Sequence, residues 1–326
     1  MRKGKIFLCL FCIYLVGRVS FAGEKKEESP LLASKALKLS GFTQFQYSHF
    51  DEGLDSFLIR RARLSLGGEI LKNIRYTLQM DVSKSPVLLD TQVEFDLPFS
   101  LTLRIGQFKV PFSQENLTSS SALDIINRSQ TVEQLCPGRD IGSQGRDIGA
   151  VLFGKFSQVE WTLGVFNGAG INKADTNEQK DLAARFVFKP LDILTLAGAF
   201  YKGKHSPLSG ALPLRRDRTG LEIFVKKSPF SLKGEYILAK DGETSKSGYY
   251  LQAGYFFILE KLEAIVKYDS FDKNRDILLD RSDIFTLGVN WFFSEKTKLQ
   301  ANCEWHKEEN GSRSNFVVLA QFQAGF

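Results

Sequence analysis

The chain holds 326 residues, 43% hydrophobic and 25% charged, with 27 Gly, 28 Phe and only 9 Pro. That aromatic content excludes a disordered chain, and the length suits either two soluble domains or one large β-barrel. The formal charge of +6 does not point to nucleic acid: four of the 43 basic residues (Arg2, Lys3, Lys5, Arg18) fall in the first 22 positions, which hold no acid, leaving 39 against 37. Any electrostatic function therefore depends on where charges sit rather than on their sum.

Arg2, Lys3 and Lys5 precede an apolar run from Ile6 to Val16, too short for a spanning helix but suited to a secretory signal. Small residues at Ser20 and Ala22 place cleavage before Gly23, so residues 1–22 are expected to leave with export and 23–37 to form a flexible periplasmic lead-in. Cys9 and Cys12 go with the signal. Cys136 and Cys303 remain, too few for a disulfide framework or a four-ligand zinc site, and are expected to be free.

Beyond residue 38 the dominant pattern has period two. Ile74, Tyr76, Leu78, Met80 and Val82 alternate with Arg75, Thr77, Gln79, Asp81 and Ser83. Val87, Leu89, Thr91, Val93, Phe95 and Leu97 alternate with Asp90, Gln92, Glu94 and Asp96, and Leu101, Leu103 and Ile105 with Thr102 and Arg104. Apolar faces follow at 161–165, 182–188, 221–225, 232–238, 262–268, 285–293 and 316–326, with weaker segments near 39–50, 57–69, 146–156, 193–202, 248–258 and 298–306. Sixteen segments result. Each places one face in an apolar medium and the other in water. No later window is apolar enough for a spanning helix, so the fold class is an all-β transmembrane antiparallel barrel over 38–326.

A soluble sandwich also alternates. Charges at mid-strand favour a water-filled lumen instead, as does the alternation of connection length. Long links near 113–145, 168–180, 203–217 and 270–282 follow odd strands, and tight turns such as Lys72-Asn73, Pro98-Phe99 and Ser228-Pro229 follow even ones. The last strand ends in Phe326, in register with Phe316 and Phe322, like the terminal aromatic signal of many outer-membrane proteins.

Several blocks now resemble one family. Phe57-Leu58-Ile59-Arg60-Arg61-Ala62-Arg63-Leu64 is similar to a strand of the phosphate-selective porin O and P family. Arg104-Ile105-Gly106-Gln107-Phe108-Lys109-Val110-Pro111-Phe112-Ser113 with Glu115 resembles its most distinctive block. Cys136 to Gly142, Gly164 to Gly168 and Leu287 to Asn290 also look like family blocks. The resemblance runs from about residue 40 to the end. It implies a sixteen-stranded homotrimeric pore in the outer membrane of a Gram-negative-type bacterium, with basic residues along an anion path.

On the second strand, parity puts Leu58, Ala62, Leu64 and Leu66 toward lipid and Ile59, Arg61, Arg63 and Ser65 toward the lumen; Arg75, Arg104 and Arg185 face inward by the same rule. A guanidinium stays charged and offers a donor fork to oxyanions. Two readings stay open: a basic wall, or a charge network with Asp81, Asp90, Glu94 and Asp96. Simple alternation points Lys109 outward, whereas a bulge at Gly106, favoured by the resemblance, turns it inward and sends Phe108, Val110 and Phe112 to lipid. The segment 113–144, carrying Glu115, Arg128 and Arg139, is expected to fold inward as a constriction loop, the other reading being a surface flap.

Gly138-Arg139-Asp140-Ile141-Gly142 recurs as Gly145-Arg146-Asp147-Ile148-Gly149, but no strand-to-helix context or Gly-Lys-Ser/Thr makes it a phosphate loop. Enzymatic chemistry finds no support in a Gly-x-Ser-x-Gly or His-Glu-x-x-His motif. His49 and His306 lie on strands near the closing seam, where a shared metal or dyad is conceivable, rim histidines in water being the ordinary case. The expected function is passive diffusion of small hydrophilic solutes with an anion preference, phosphate-like oxyanions included, and no cofactor, metal or nucleic acid. The alternative is a non-conducting structural or adhesive barrel.

Overall fold

The computed structural model describes residues 37–206, 212–311 and 314–326; the expected signal segment, and all but Leu37 of the expected lead-in, lie outside the described residues. The alternating segments form β1 (Lys38–Phe50), β2 (Ser56–Leu71), β3 (Ile74–Asp81), β4 (Leu88–Leu97), β5 (Leu101–Lys109), β6 (Arg146–Phe156), β7 (Val159–Phe166) and β8 (Asp181–Leu191). They continue as β9 (Leu194–His205), β10 (Leu214–Lys227), β11 (Phe230–Asp241), β12 (Thr244–Ile258), β13 (Leu262–Asp272), β14 (Arg281–Phe292), β15 (Lys298–Glu308) and β16 (Ser314–Gly325). Each strand pairs with its sequence neighbours, and β1 closes antiparallel on β16, from Phe42 opposite Gly325 to Phe50 opposite Val317. Closure removes the sheet edge, which hydrocarbon cannot hydrate.

The side chains are distributed inside out. On β1, Gln44, Gln46 and Ser48 are buried while the intervening Phe45 is half exposed. On β14, Thr286 and Asn290 are buried while Leu287, Val289 and Trp291 face outward. The inward amides sew neighbouring strands together: Gln44 Nε2 donates to Gln323 Oε1 (2.7 Å), Gln321 Nε2 to Gln300 Oε1 (3.0 Å), and Gln300 Nε2 to Asn290 Oδ1 (3.0 Å). Two outward aromatic belts sit near the rims, one with the Tyr249–Tyr268, Phe285–Trp305 and Trp305–Phe316 ring contacts, the other with Phe230–Tyr255 and Phe293–Phe322. Amphipathic and aromatic rings at both interfaces are expected of a barrel in a bilayer.

Two register slips revise the sequence reading. Between β1 and β2 the register shifts at Gln44/Phe45, so Gln44 pairs with Arg61, Phe45 with Ile59, and Arg60 is the extra residue of a bulge. Above the bulge parity inverts: Ile59, expected in the lumen, is exposed on the Phe45 face, and Leu58, expected toward lipid, lies opposite inward Gln46. A second slip, between Gln79 and Met80, leaves Leu89 unpaired and fully buried rather than outward.

The expected bulge at Gly106 is absent. β5 stays in continuous register with both β4 and β6 through Gln107. Gly106 instead adopts φ 131°, where an added Cβ would lie 2.1 Å from the Thr91 carbonyl oxygen. Phe108, Val110 and Phe112 do not reach lipid. All three are buried inside the barrel, because the chain turns inward after Lys109 and meets a second apolar surface there.

The lipid face supplies a test. Leu287→Arg places a charge midway along outward-facing β14 and should destabilise the folded barrel by about 2–4 kcal/mol. Urea titration of folding into phosphatidylcholine vesicles measures it; an unchanged midpoint would show that this face is not in hydrocarbon.

Candidate functional site

Residues 113–144 lie inside the barrel. Their helix Gln130–Leu135 and Cys136 bury Val132, Leu135 and Cys136 completely against the inward face of the wall, including Val151, Phe166, Ile237 and Tyr250. Each such side chain contributes roughly 1.5–3 kcal/mol of burial. Close approach is needed on β10, where an added Cβ at Gly220 would meet the Phe112 ring at 3.0 Å. The carboxylate of Asp269 accepts from Ser129 Oγ (2.9 Å) and the Gln130 N–H (2.5 Å) at one helix end, and Arg218 Nε donates to the Leu135 carbonyl (2.8 Å) at the other. Both charges suit the helix dipole.

Polar contacts fix the loop to strands around the wall. Glu115 pairs with Lys267 of β13 (3.0 Å), Asp124 with Lys233 of β11 (2.5 Å), and Arg185 of β8 donates to Gln114 (3.0 Å). The Ile126 N–H donates to Asn302 of β15 (2.8 Å), Gln323 of β16 to the Ser121 carbonyl (3.2 Å), and Arg60 of β2 to the Ile126 carbonyl (3.1 Å). Burial raises the pKa of the Glu115 carboxyl, but the charges of Lys267, Lys233 and Arg128 outweigh it and hold that carboxyl below its usual range. Asp124 is likewise lowered, burial being overcome by Lys233 and Lys298. Burial drives the Cys136 thiol well above its ordinary pKa, so it is a packed, protonated side chain.

The sequence-derived basic residues divide into two groups. Arg75 pairs with Asp96 and with Glu94 (3.1 Å), Arg104 with Glu94 (2.6 Å), and Arg185 with Glu222 (2.5 Å): these belong to a charge network. Lys109, half-buried, is turned onto the loop. Its ammonium, from the strand end where the chain turns inward, donates to the carbonyls of Asn116 (2.6 Å), Leu117 (3.2 Å) and Thr118 (2.8 Å).

The second group gathers where the loop meets β2. The bulge turns both Arg60 and Arg61 inward, Arg60 onto Gln46 and Asn127, Arg61 onto Gln44 Oε1 (2.8 Å). From the loop, Arg128 donates to the carbonyls of Glu115 (3.1 Å) and Thr118 (2.9 Å). Among the described residues these three guanidiniums hold neutral acceptors and no carboxylate, and the Nε atoms of Arg60 and Arg61 are buried without a partner. Arg63 pairs with Asp81 (2.9 Å) and donates to Ser120 Oγ (3.1 Å), and Arg139 pairs with Glu133 (2.8 Å). Burial and Arg139 pull Arg128 down to about 9.

Strand parity missed two members. Arg60 required knowledge of the bulge, and Lys84, exposed in the β3–β4 link, is near enough to Arg61 that this charge, after partial loss of water, lowers its pKa. A cleft of about 340 Å³ includes Arg60, Asn127, Arg128 and Glu133 in its lining. Another of about 200 Å³, toward the short-turn rim, holds Arg63, Ser65, Ser119, Ser121 and Lys296. Arg61 lies between Arg60 and Arg63 along β2.

The two seam histidines are not brought together. His49 shares the outward parity of Phe45 and bonds Asp55 (2.8 Å), while His306 shares the inward parity of Asn302 and bonds Glu304 (3.0 Å).

The family model described as phosphate-selective porin O and P matches residues 40–198 and 198–323. The chain belongs to the phosphate-selective porin O and P family. An uncharacterized protein of Aquifex aeolicus (strain VF5) is 27% identical over 232 residues, and the match spans 58% of this chain and 55% of that relative. Among solved structures, the outer membrane channel DcaP of Acinetobacter baumannii is 10% identical with a TM-score of 0.63, covering 93% of this chain and 100% of that one. A trimer form of OmpT, an outer membrane protein of Vibrio cholerae, is 8% identical with a TM-score of 0.61, covering 89% and 99%. A mutant of the Rhodopseudomonas blastica porin gives 12% and 0.61, covering 89% and 100%. At such identities these structures speak for the barrel fold alone.

The buried Glu115–Lys267 pair of this porin-family chain gives two expectations. Lys267→Met strands a buried carboxylate and should cost about 3–5 kcal/mol, read as a lower temperature for loss of the compact, heat-modifiable band on gels. Because the carboxyls of Glu115 and Asp124 are lowered on folding, their contribution is present above the unfolded pKa of about 4 and is lost as pH falls through the folded values. The loop should therefore stay protected from protease at pH 5 and loosen only below the usual carboxylate range; loosening at pH 6 would contradict the assignment.

Proposed function

We propose that this family member is an anion-preferring diffusion channel for small hydrophilic solutes, with phosphate-like oxyanions among them. One observation carries the reading: Arg60, Arg61 and Arg128 converge where the inward loop meets β2, without carboxylate partners among the described residues. An anion arriving there exchanges part of its hydration for guanidinium forks. Its binding must stay weak enough for release, and each guanidinium keeps its protein hydrogen bonds throughout. Arg60 and Arg61, followed along β2 by Arg63, which is paired with Asp81, and by the hydroxyls of Ser119 and Ser121 toward the short-turn rim, supply successive donors along this path.

Export rests on residues 1–22 acting as a cleaved signal, and assembly as a homotrimer on the family. The loop's hydrogen bonds to strands on all sides of the lumen favour a narrow, solute-selective passage over a wide one. The same observation supports a second reading, a barrel closed by its loop that serves a structural or adhesive role.

Planar-bilayer recordings in a KCl gradient separate these. The channel reading expects a reversal potential of the sign for chloride over potassium. Arg61→Gln should lower that preference roughly fivefold, the factor for about 1 kcal/mol, the energy of two unit charges 4 Å apart in water. Potassium selectivity would overturn the anion preference, and absence of any conductance would favour the closed barrel.

A further inference from the structure

The duplicated pentapeptide lies where the inward loop returns to the wall, and its two copies reach in different directions. In the first, Asp140 takes a bidentate pair from Arg216 (2.8 Å to each oxygen) and a third bond from Arg218 Nη2 (2.7 Å). Arg216 and Arg218 are alternate, inward residues of β10, and all three side chains are buried. In the second copy, Arg146 makes a bidentate pair with Asp90 of β4 (2.7 and 2.9 Å) and reaches Gln79 of β3 (3.1 Å). Asp147 accepts the N–H groups of Gly168 (2.6 Å) and Gly170 (3.2 Å) in the β7–β8 link. The glycines allow the copies to fold back on each other: Gly138 and Gly145 have φ 81° and 77°, and a Cβ on Gly138 would lie 2.8 Å from the Arg146 nitrogen.

We propose that this repeat is a two-point latch for the inward loop, and that Asp140 is its positioning residue, holding the neighbouring Arg139 and the helix Gln130–Leu135 at the constriction. The proposal rests on the channel reading for its consequence, since the loop's position sets the passage. Arg139 is held by Asn116 (2.7 Å) and Glu133 (2.8 Å), both within the loop, so nothing in its own contacts ties it to the wall. The tie comes one residue later. Arg218 grips both Asp140 and the Leu135 carbonyl, so the helix end and the return limb share one anchor on β10. Without the Asp140 charge, two buried guanidiniums lose the carboxylate between them: Arg218 keeps Asp241 (2.7 Å), whereas the nearest carboxylate left to Arg216 is Asp181 at 3.8 Å, beside its bonds to the Gly168 carbonyl (3.3 Å) and the Tyr201 hydroxyl (3.4 Å). The second copy remains attached to β3 and β4, so the limb is freed on one side while the barrel stays closed.

The test uses the purified full-length protein and the variants Asp140→Asn and Asp140→Glu. Arg128 is buried in the loop, twelve positions from the substitution, so trypsin cleavage after Arg128 reports loop release without altering the cut site. Asp140→Asn is expected to raise that cleavage rate by roughly two orders of magnitude and to give larger, noisier single-channel currents in bilayers. Asp140→Glu keeps the charge and should restore most of the protection. A wild-type cleavage rate and wild-type current noise in Asp140→Asn overturn the latch. If Asp140→Asn fails to give the compact gel band, Arg216→Gln and Arg218→Gln replace it, and protection of Arg128 in both overturns the proposal. If the unmodified protein forms no channel, the channel reading fails, and the protease comparison alone decides the latch.

Discussion

A bilayer offers no partner to a backbone N–H, and that single restriction shapes the molecule. It forces β1 onto β16 and turns most apolar side chains of the strands outward, apart from those that pack on the inward loop, which leaves the polar half of each strand facing its counterparts across a confined space. Inside, each polar group must find water or a neighbour. Most find a neighbour: amides pair along the seam, acids and bases pair across strands, and the inward loop takes up much of what remains.

The strands were legible because alternation reports directly whether a side chain meets an apolar or a polar medium. It does not report which apolar medium. Phe108, Val110 and Phe112 read as lipid-facing, yet they pack on Val132 and Leu135 of the loop, a partner no local pattern reveals. Bulges were equally hidden, since the slip at Arg60 belongs to the pairing of β2 with β1 rather than to β2 alone. Within the run Arg60-Arg61-Ala62-Arg63, parity selected Arg61 and Arg63 and passed over Arg60, which the bulge also turns inward. Lys84 had no parity to read, lying in a connection.

Of the residues expected to form either a basic wall or a charge network, Arg63, Arg75 and Arg104 all hold carboxylates, and Arg61 does not. Arg75, Arg104 and Arg185 are matched by Glu94, Asp96 and Glu222 on adjoining strands. Arg60, Arg61 and Arg128 are held by amides and carbonyls, which orient a guanidinium without cancelling its charge. That difference separates guanidiniums paired with a carboxylate from guanidiniums held by neutral groups, and no count of residues by type distinguishes them.

At the closing seam Gln44 of β1 bonds Gln323 of β16, and the amides of Gln321, Gln300 and Asn290 carry such neutral links on to β15 and β14. Neutral amides neither titrate nor attract counter-ions, so these links are indifferent to acid and to salt, which screens exposed charges far more than buried ones. Salt then weakens the exposed ion pairs while these uncharged joints keep their strength.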